Sequence, residues 1–166
     1  MATRNRSIAA SVLFTLFGGP GILLVLIPWL ITRFHLPAAQ PLSQILLAIL
    51  LIVLGLIPLF ESILRFIRVG RGSLVPSVPT ERLVVTGFYR FVRNPMYIGV
   101  LIVLGAEALL FQSVDLFAEL LVAALLMHLF IRFYEEPRLI RTFGDEYLRF
   151  RHNVPRWLPR LTPWRP

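Results

Sequence analysis

Arg93–Asn94–Pro95–Met96–Tyr97–Ile98–Gly99 opens an apolar run that continues to Phe111, turns through Gln112–Ser113–Val114–Asp115, and resumes from Leu116 to Tyr134. So short a connection between two such runs predicts a tight antiparallel helical hairpin. Pro95 suits the first residue of a helix, where no amide donor is lost, and Asn94 suits the cap before it. Each run sits near the lower limit of about 17 residues for crossing hydrocarbon as a helix. Directly before the hairpin lies a basic, aromatic segment, Gly87–Phe88–Tyr89–Arg90–Phe91–Val92. Directly after it comes a carboxylate pair, Glu135–Glu136, followed by Pro137. Polar groups held at the ends of a membrane hairpin are costly to keep idle, so both are candidate functional positions.

Two longer apolar segments precede the hairpin, from about Ser7 to Ile31 and from about Leu42 to Ile67, each long enough to span roughly 30 Å of hydrocarbon. The 166 residues are 57% hydrophobic and 16% charged, with a mean hydropathy of +0.74. Soluble domains average roughly 45–50% apolar and about 25% charged. A chain this short and apolar reads as an integral membrane protein of one domain. Arg4 and Arg6 precede the first segment as they would a secretory signal. That run is too long for a signal, and no small-x-small cleavage site follows, so it reads as a retained membrane helix. Gly18–Gly19–Pro20–Gly21 interrupts it, and Pro28 and Pro58 predict kinks.

All 17 basic residues are arginine and the net charge is +8. The charge sits between apolar runs rather than along one soluble face, which argues for membrane orientation and against nucleic acid. Arginine is dense at the N-terminus, sparse in the first loop (Arg33), dense in the second (Arg65, Arg68, Arg71, Arg82, Arg90, Arg93), absent from the third and dense again from Arg132 onward. That alternation predicts both termini and the second loop on the cytoplasmic side of the cell inner or plasma membrane, and it puts the hinge and the carboxylate pair at one membrane face. The chain has no cysteine, which excludes disulfides and thiolate chemistry. Its scattered histidines give no metal-site spacing.

The expected fold is all-α: an integral membrane bundle of four transmembrane helices with a C-terminal amphipathic interfacial helix. The organisation is an N-terminal helical pair (1–67), a cytoplasmic loop (68–95), a helical hairpin (96–134) and a cytoplasmic tail (135–166). In the tail, Leu139, Phe143, Tyr147 and Phe150 recur at helical spacing, with Gly144 interrupting, which reads as an interfacial helix or one folded over the hairpin. Trp157 and Trp164 suit the membrane interface.

Each candidate has a plainer reading beside it. The start of the third helix, with Tyr89 and Tyr97, either lines a polar pocket with exposed amides or is simply a capped helix start with arginine anchors. Gly99 and Gly105 permit close helix approach. Glu135 and Glu136 stand where a helix dipole disfavours negative charge, so they serve a ligand or pair with Arg132, Arg138 or Arg93. His128, Arg132 and the two glutamates lie roughly one turn apart and share a face suited to a zwitterionic ligand. Glu107 is a functional candidate inside the third segment, or it approaches the outer interface near Asp115. Glu61 and Arg65 read as a structural pair, and Gly70–Arg71–Gly72 as a loop.

Taken in order, Leu83–Val84, Gly87–Phe88–Tyr89, Arg93–Asn94–Pro95–Met96–Tyr97–Ile98–Gly99, Glu135–Glu136–Pro137, Phe143–Gly144–Asp145–Glu146–Tyr147 and Val154–Pro155 resemble the membrane isoprenylcysteine carboxyl methyltransferase and phospholipid methyltransferase superfamily. The resemblance covers about residues 74–160. It implies an all-helical, membrane-embedded enzyme using S-adenosylmethionine at the cytosolic face, with a membrane lipid or lipidated substrate entering from the bilayer. It further implies that Leu83, Val84, Tyr89, Asn94, Pro95, Met96, Tyr97, Glu135 and Glu136 hold or enclose the cofactor. A carboxylate acceptor needs no base, whereas an ammonium acceptor must lose a proton that His128 or Glu136 can take. Prenylcysteine enzymes of this kind carry a histidine where Asn94 stands, and a basic residue where Ile131 stands. The first departure brings the motif nearer the phospholipid enzymes, and the second leaves as a substitute catalytic cation the adjacent Arg132, which points about 100° away on an ideal helix. The competing expectation is a non-catalytic membrane protein, such as a transporter subunit or assembly factor. It explains the helices and the arginines but not the order of hinge and carboxylates.

Overall fold

The computed structural model describes residues 19–68 and 82–165. Arg4, Arg6, the part of the first segment before Gly19 and the Gly70–Arg71–Gly72 loop lie outside the described residues. Five helices make up the described fold: α1 (Gly19–Thr32), α2 (Leu42–Arg68), α3 (Pro95–Phe111), α4 (Val114–Phe143) and α5 (Asp145–Asn153), with a short 3-10 turn at Gly87–Arg90. No strand occurs among the described residues.

Two of these helices, over Leu42–Arg65 and Val114–Phe143, are long and apolar enough to cross a membrane, while Gly19–Thr32 and Pro95–Phe111 are shorter apolar helices. Leu46, Leu50, Val53 and Ile57 on α2, and Leu121, Leu125 and Leu126 on α4, are each roughly half exposed. Such contiguous apolar surface is foreign to a soluble monomer.

The innermost helix is α3, and it reaches α2 by backbone contact. A Cβ added at Gly99 would stand 2.5 Å from the Gly55 carbonyl oxygen, and one added at Gly55 would stand 2.7 Å from that of Gly99. Glycine at both positions lets the two backbones touch. Leu59, Ile63, Val100, Leu104 and Ala123 close the core among α2, α3 and α4. At the far end of α3, Gln112 turns left-handed and Ser113 caps α4 by accepting from the Leu116 amide at 3.3 Å. The side-chain amides of Gln40 and Gln44 donate to the carbonyls of Leu110 and Leu109, satisfying the open end of α3. Gln112 and Ser113 alone thus join α3 to α4.

The fourth helix does not stop at Tyr134. It widens into a π turn over Ile131–Glu135 and continues to Phe143. Pro137 cannot donate the bond an unbroken α-helix would need there, and the wide turn just before it absorbs the lost donor. Gly144, at φ 52, then reverses the chain into α5. The apolar side of this last section packs inward: Tyr147, Phe150 and Val154 cluster with Val84 and Tyr89, flanked by Leu139, Ile140 and Phe143. The apolar side of the amphipathic tail thus meets the hinge rather than standing free.

Residues 154–165 form no regular element but lie bonded along the hinge. The amides of Arg93, Arg160 and Trp164 donate to the carbonyls of Pro155, Phe91 and Arg90, each at 2.9 Å. The tryptophans face protein contacts rather than only a lipid interface: Trp164 packs against Phe150, and Trp157 stacks on His128.

Candidate functional site

A cleft with apolar walls and a few charged groups forms where the hinge, the π turn of α4 and α5 converge. Leu83 and Val84 stand on one wall, and Gly87, at φ 58, turns the chain into the 3-10 segment. A Cβ at Gly87 would also collide with the paired Glu61 and Arg65 side chains of α2. Glycine here lets the hinge lie on α2 and directs Tyr89 inward. Burial pushes the Tyr89 phenol well above its usual range, and the Glu135 and Glu61 carboxylates add to the shift; a hydrogen bond with Ser62 offsets only part of it. Tyr89 is thus a neutral hydroxyl at any working pH.

Glu136 is 2% exposed, yet it carries the densest charge network in the described fold. Arg93 Nη1 donates to its Oε1 at 2.8 Å, Arg156 donates through Nε and Nη2 at 2.8 and 2.9 Å, and Arg151 Nε lies 4.0 Å away. The bonds to Glu136 hold the Arg156 guanidinium above its ordinary range. Arg93 also reaches the Tyr147 hydroxyl at 3.4 Å. Burial raises the Tyr147 phenol, and the Glu136 charge adds to it. Asn94 occupies the cap position of α3, but its side chain does not cap; it donates to the Arg156 carbonyl at 3.1 Å. One carboxylate and one amide therefore clamp together hinge, helix and tail.

Glu135 is placed differently. It accepts a hydrogen bond from the Tyr97 hydroxyl at 3.0 Å, and no basic group among the described residues stands within ion-pair distance of it. The Nε of Arg93 is buried without a partner. The cleft thus presents an unneutralised carboxylate and an unused guanidinium donor between the apolar walls of Leu83, Val84, Ile131, Leu139 and Phe150.

Of the residues expected to contact a cofactor, Leu83, Val84, Tyr89, Asn94, Glu135 and Glu136 line this cleft, and Tyr97 joins it through Glu135. Met96 packs instead against the core, and Pro95 faces an apolar groove on the other side of the hinge with Phe88 and Ile98. His128 and Arg132 stand apart. His128 Nδ1 accepts from the Trp157 indole at 3.1 Å, and Arg132 opens onto the outer surface beside Arg141 and Arg151. Arg132 shares that outer groove with Glu136, whereas His128 is paired with Trp157. Of the partners expected for the glutamates, Arg93 is the one that pairs with Glu136. Sequence reasoning missed Ile131, Leu139, Tyr147 and Phe150 as cleft residues, and Tyr147 had a usable signal in its place within the quoted motif.

Membrane-length apolar helices, with a charged cleft built at one end of a helical hairpin, define a small helical protein of membrane type. The chain belongs to the phospholipid methyltransferase family, which it matches over residues 43–146. It is also 33% identical over 98 residues to methanethiol S-methyltransferase 1 of Bradyrhizobium diazoefficiens, an alignment covering 58% of this chain and 30% of that protein. No solved structure matches the chain.

Proposed function

We propose that this chain is a membrane-embedded methyltransferase that uses S-adenosylmethionine, with the cleft between hinge and α4 as the cofactor site. The observation that carries the reading is Glu135, a carboxylate inside the cleft with no cationic partner among the described residues. S-adenosylmethionine, when bound, supplies an electrophilic methyl on a sulfonium and carries an ammonium, a carboxylate and an adenine. The donor set suits those groups: Glu135 for positive charge, Arg93 Nε for the carboxylate, and Leu83, Val84, Ile131 and Phe150 for the apolar ring. The enclosed space is about 80 Å³, so the whole cofactor widens it. Residues 82–85 make no backbone hydrogen bond to another element among the described residues, and they are the wall that yields.

The residues of this chain then do three things. Tyr97 orients Glu135, and Tyr89 presents a neutral hydroxyl beside it. Arg93 and Arg156 neutralise Glu136, so Glu136 positions the hinge rather than taking a proton. The apolar walls exclude water, and positioning with desolvation carries most of the catalysis in a methyl displacement. His128 and Arg132 lie outside the cleft and would act on an acceptor approaching from the membrane.

In this reading α1 and α3 cross the membrane together with α2 and α4, both termini are cytoplasmic, and the acceptor is lipophilic, a prenylcysteine-like carboxylate or a phospholipid amine. The named relative favours a second acceptor, a small thiol, for which the mainly apolar walls are equally suited. Calorimetry on the detergent-purified chain tests the core of the proposal. Binding of S-adenosylmethionine is expected at micromolar order, about −8 kcal/mol, and Glu135→Gln weakens it roughly tenfold or more. A folded sample that binds neither the cofactor nor its demethylated product points to the non-catalytic alternative. Labelled methyl transfer to membrane lipid extract against methanethiol separates the acceptors.

A further inference from the structure

We infer that the outer side of α4 carries a second ligand site, a groove that takes the phosphate-bearing headgroup of an anionic membrane lipid. The groove, of about 290 Å³, lies between α4 and α5 and is lined by Arg132, Glu136, Pro137, Ile140, Arg141 and Arg151. Arg132 and Arg141 are exposed and make no hydrogen bond or ion pair among the described residues. Arg151 has only the 4.0 Å contact to Glu136. The Glu136 carboxylate in the floor does not make the groove acidic, because Arg93 and Arg156 already bond it at 2.8 Å. What remains is a set of permanently charged, planar donors whose geometry matches phosphate oxygens in bidentate fashion.

The position of the groove selects a lipid over free phosphate. Arg132 directly follows the apolar run of α4, and Leu129, Phe130 and Phe133 beside it are exposed at 40%, 39% and 73%. A headgroup held by the arginines would lay its chains along Leu125, Leu126 and Leu129, also exposed. Basic side chains at this level are drawn toward an anionic surface, and a walled groove adds directed hydrogen bonds to that general attraction. The choice of lipid rests on reading α4 as a membrane span. It is independent of whether the cleft binds S-adenosylmethionine.

The test titrates the full detergent-purified chain with dioleoylphosphatidic acid, dioleoylphosphatidylcholine and inorganic phosphate, following bound lipid by native mass spectrometry. Phosphatidic acid is expected to bind at least tenfold more tightly than phosphatidylcholine. Arg132→Gln and Arg141→Gln are each expected to weaken it roughly tenfold. Arg141→Gln should keep wild-type cofactor affinity, so loss of cofactor binding in every sample would sink the enzymatic reading without touching this one. Equal phosphatidic acid affinity in wild type and the Arg132→Gln/Arg141→Gln double variant overturns the site. Inorganic phosphate binding as tightly as the lipid, with the same dependence on both arginines, overturns the lipid as its source.

Discussion

Replacing Glu136 with glutamine separates scaffold from ligand site. The carboxylate is 3% exposed and faces Arg93 at 10% and Arg156 at 20% side-chain exposure. Glutamine keeps the volume and one acceptor but leaves two guanidinium groups without their anion. Breaking a buried ion pair costs about 3–5 kcal/mol, and the access of Arg156 to solvent places the expected loss near the lower end, about 3 kcal/mol. At about 2–4 °C per kcal/mol for a chain of this size, the melting temperature should fall by roughly 6–12 °C. Thermal unfolding in detergent followed by tryptophan emission reads this directly, because Trp157 adjoins Arg156 and Trp164 packs on Phe150. In the Glu136→Gln background, Arg156→Gln should cost much less than in wild type, since its partner is already gone. A Glu136→Gln melt within 2 °C of wild type, or additive losses in that cycle, would refute the assignment of Glu136 as the clamp.

Other consequences are simpler to measure. Gly99→Ala should destabilise by about 1–3 kcal/mol, because its methyl meets the Gly55 carbonyl rather than a side chain that can move. Gly105→Ala, whose nearest new neighbour is Leu120 Cδ2 at 3.7 Å, should be neutral or better in the same melt. Trp157→Phe removes the donor to His128 and should lower stability by about 1 kcal/mol, with cofactor affinity by calorimetry unchanged. Tyr97→Phe should weaken cofactor binding severalfold and also lower stability by about 1 kcal/mol, because Glu135 loses its hydrogen-bond donor.

Much of this architecture was legible from apolar run length and from the short Gln112–Asp115 turn, because lipid-facing helices announce themselves by composition. Gly99 was legible as a close approach, and Glu61–Arg65 as an i, i+4 pair. The continuation of α4 past Tyr134 was not. It depends on a π turn before Pro137, and no periodicity encodes an extra residue in a turn. The division of labour between Glu135 and Glu136 was equally hidden, since adjacent residues of the same type differ only in what folds against them. Asn94 looked like a cap, and its side chain was captured instead by a carbonyl sixty-two residues away.

That capture points to how the site is held. The match to the phospholipid methyltransferase family spans residues 43–146 and so includes the hinge and both glutamates. The groups that fasten them together come later: Arg151, Pro155, Arg156, Arg160 and Trp164 all lie beyond it. Within the matched span, Arg93 alone joins Glu136 to the hinge by ion pairing among the described residues. One guanidinium leaves a buried carboxylate underpaired, whereas three converging on it make the burial tolerable. The backbone bonds from Arg160 and Trp164 to the hinge then tie down residues 90–94, from which Arg93 and Asn94 enter the cleft. Most of the cleft lining, from Leu83 to Leu139, thus lies in the family segment, while Tyr147, Phe150 and the groups that hold its geometry come from α5 and the irregular residues 154–165.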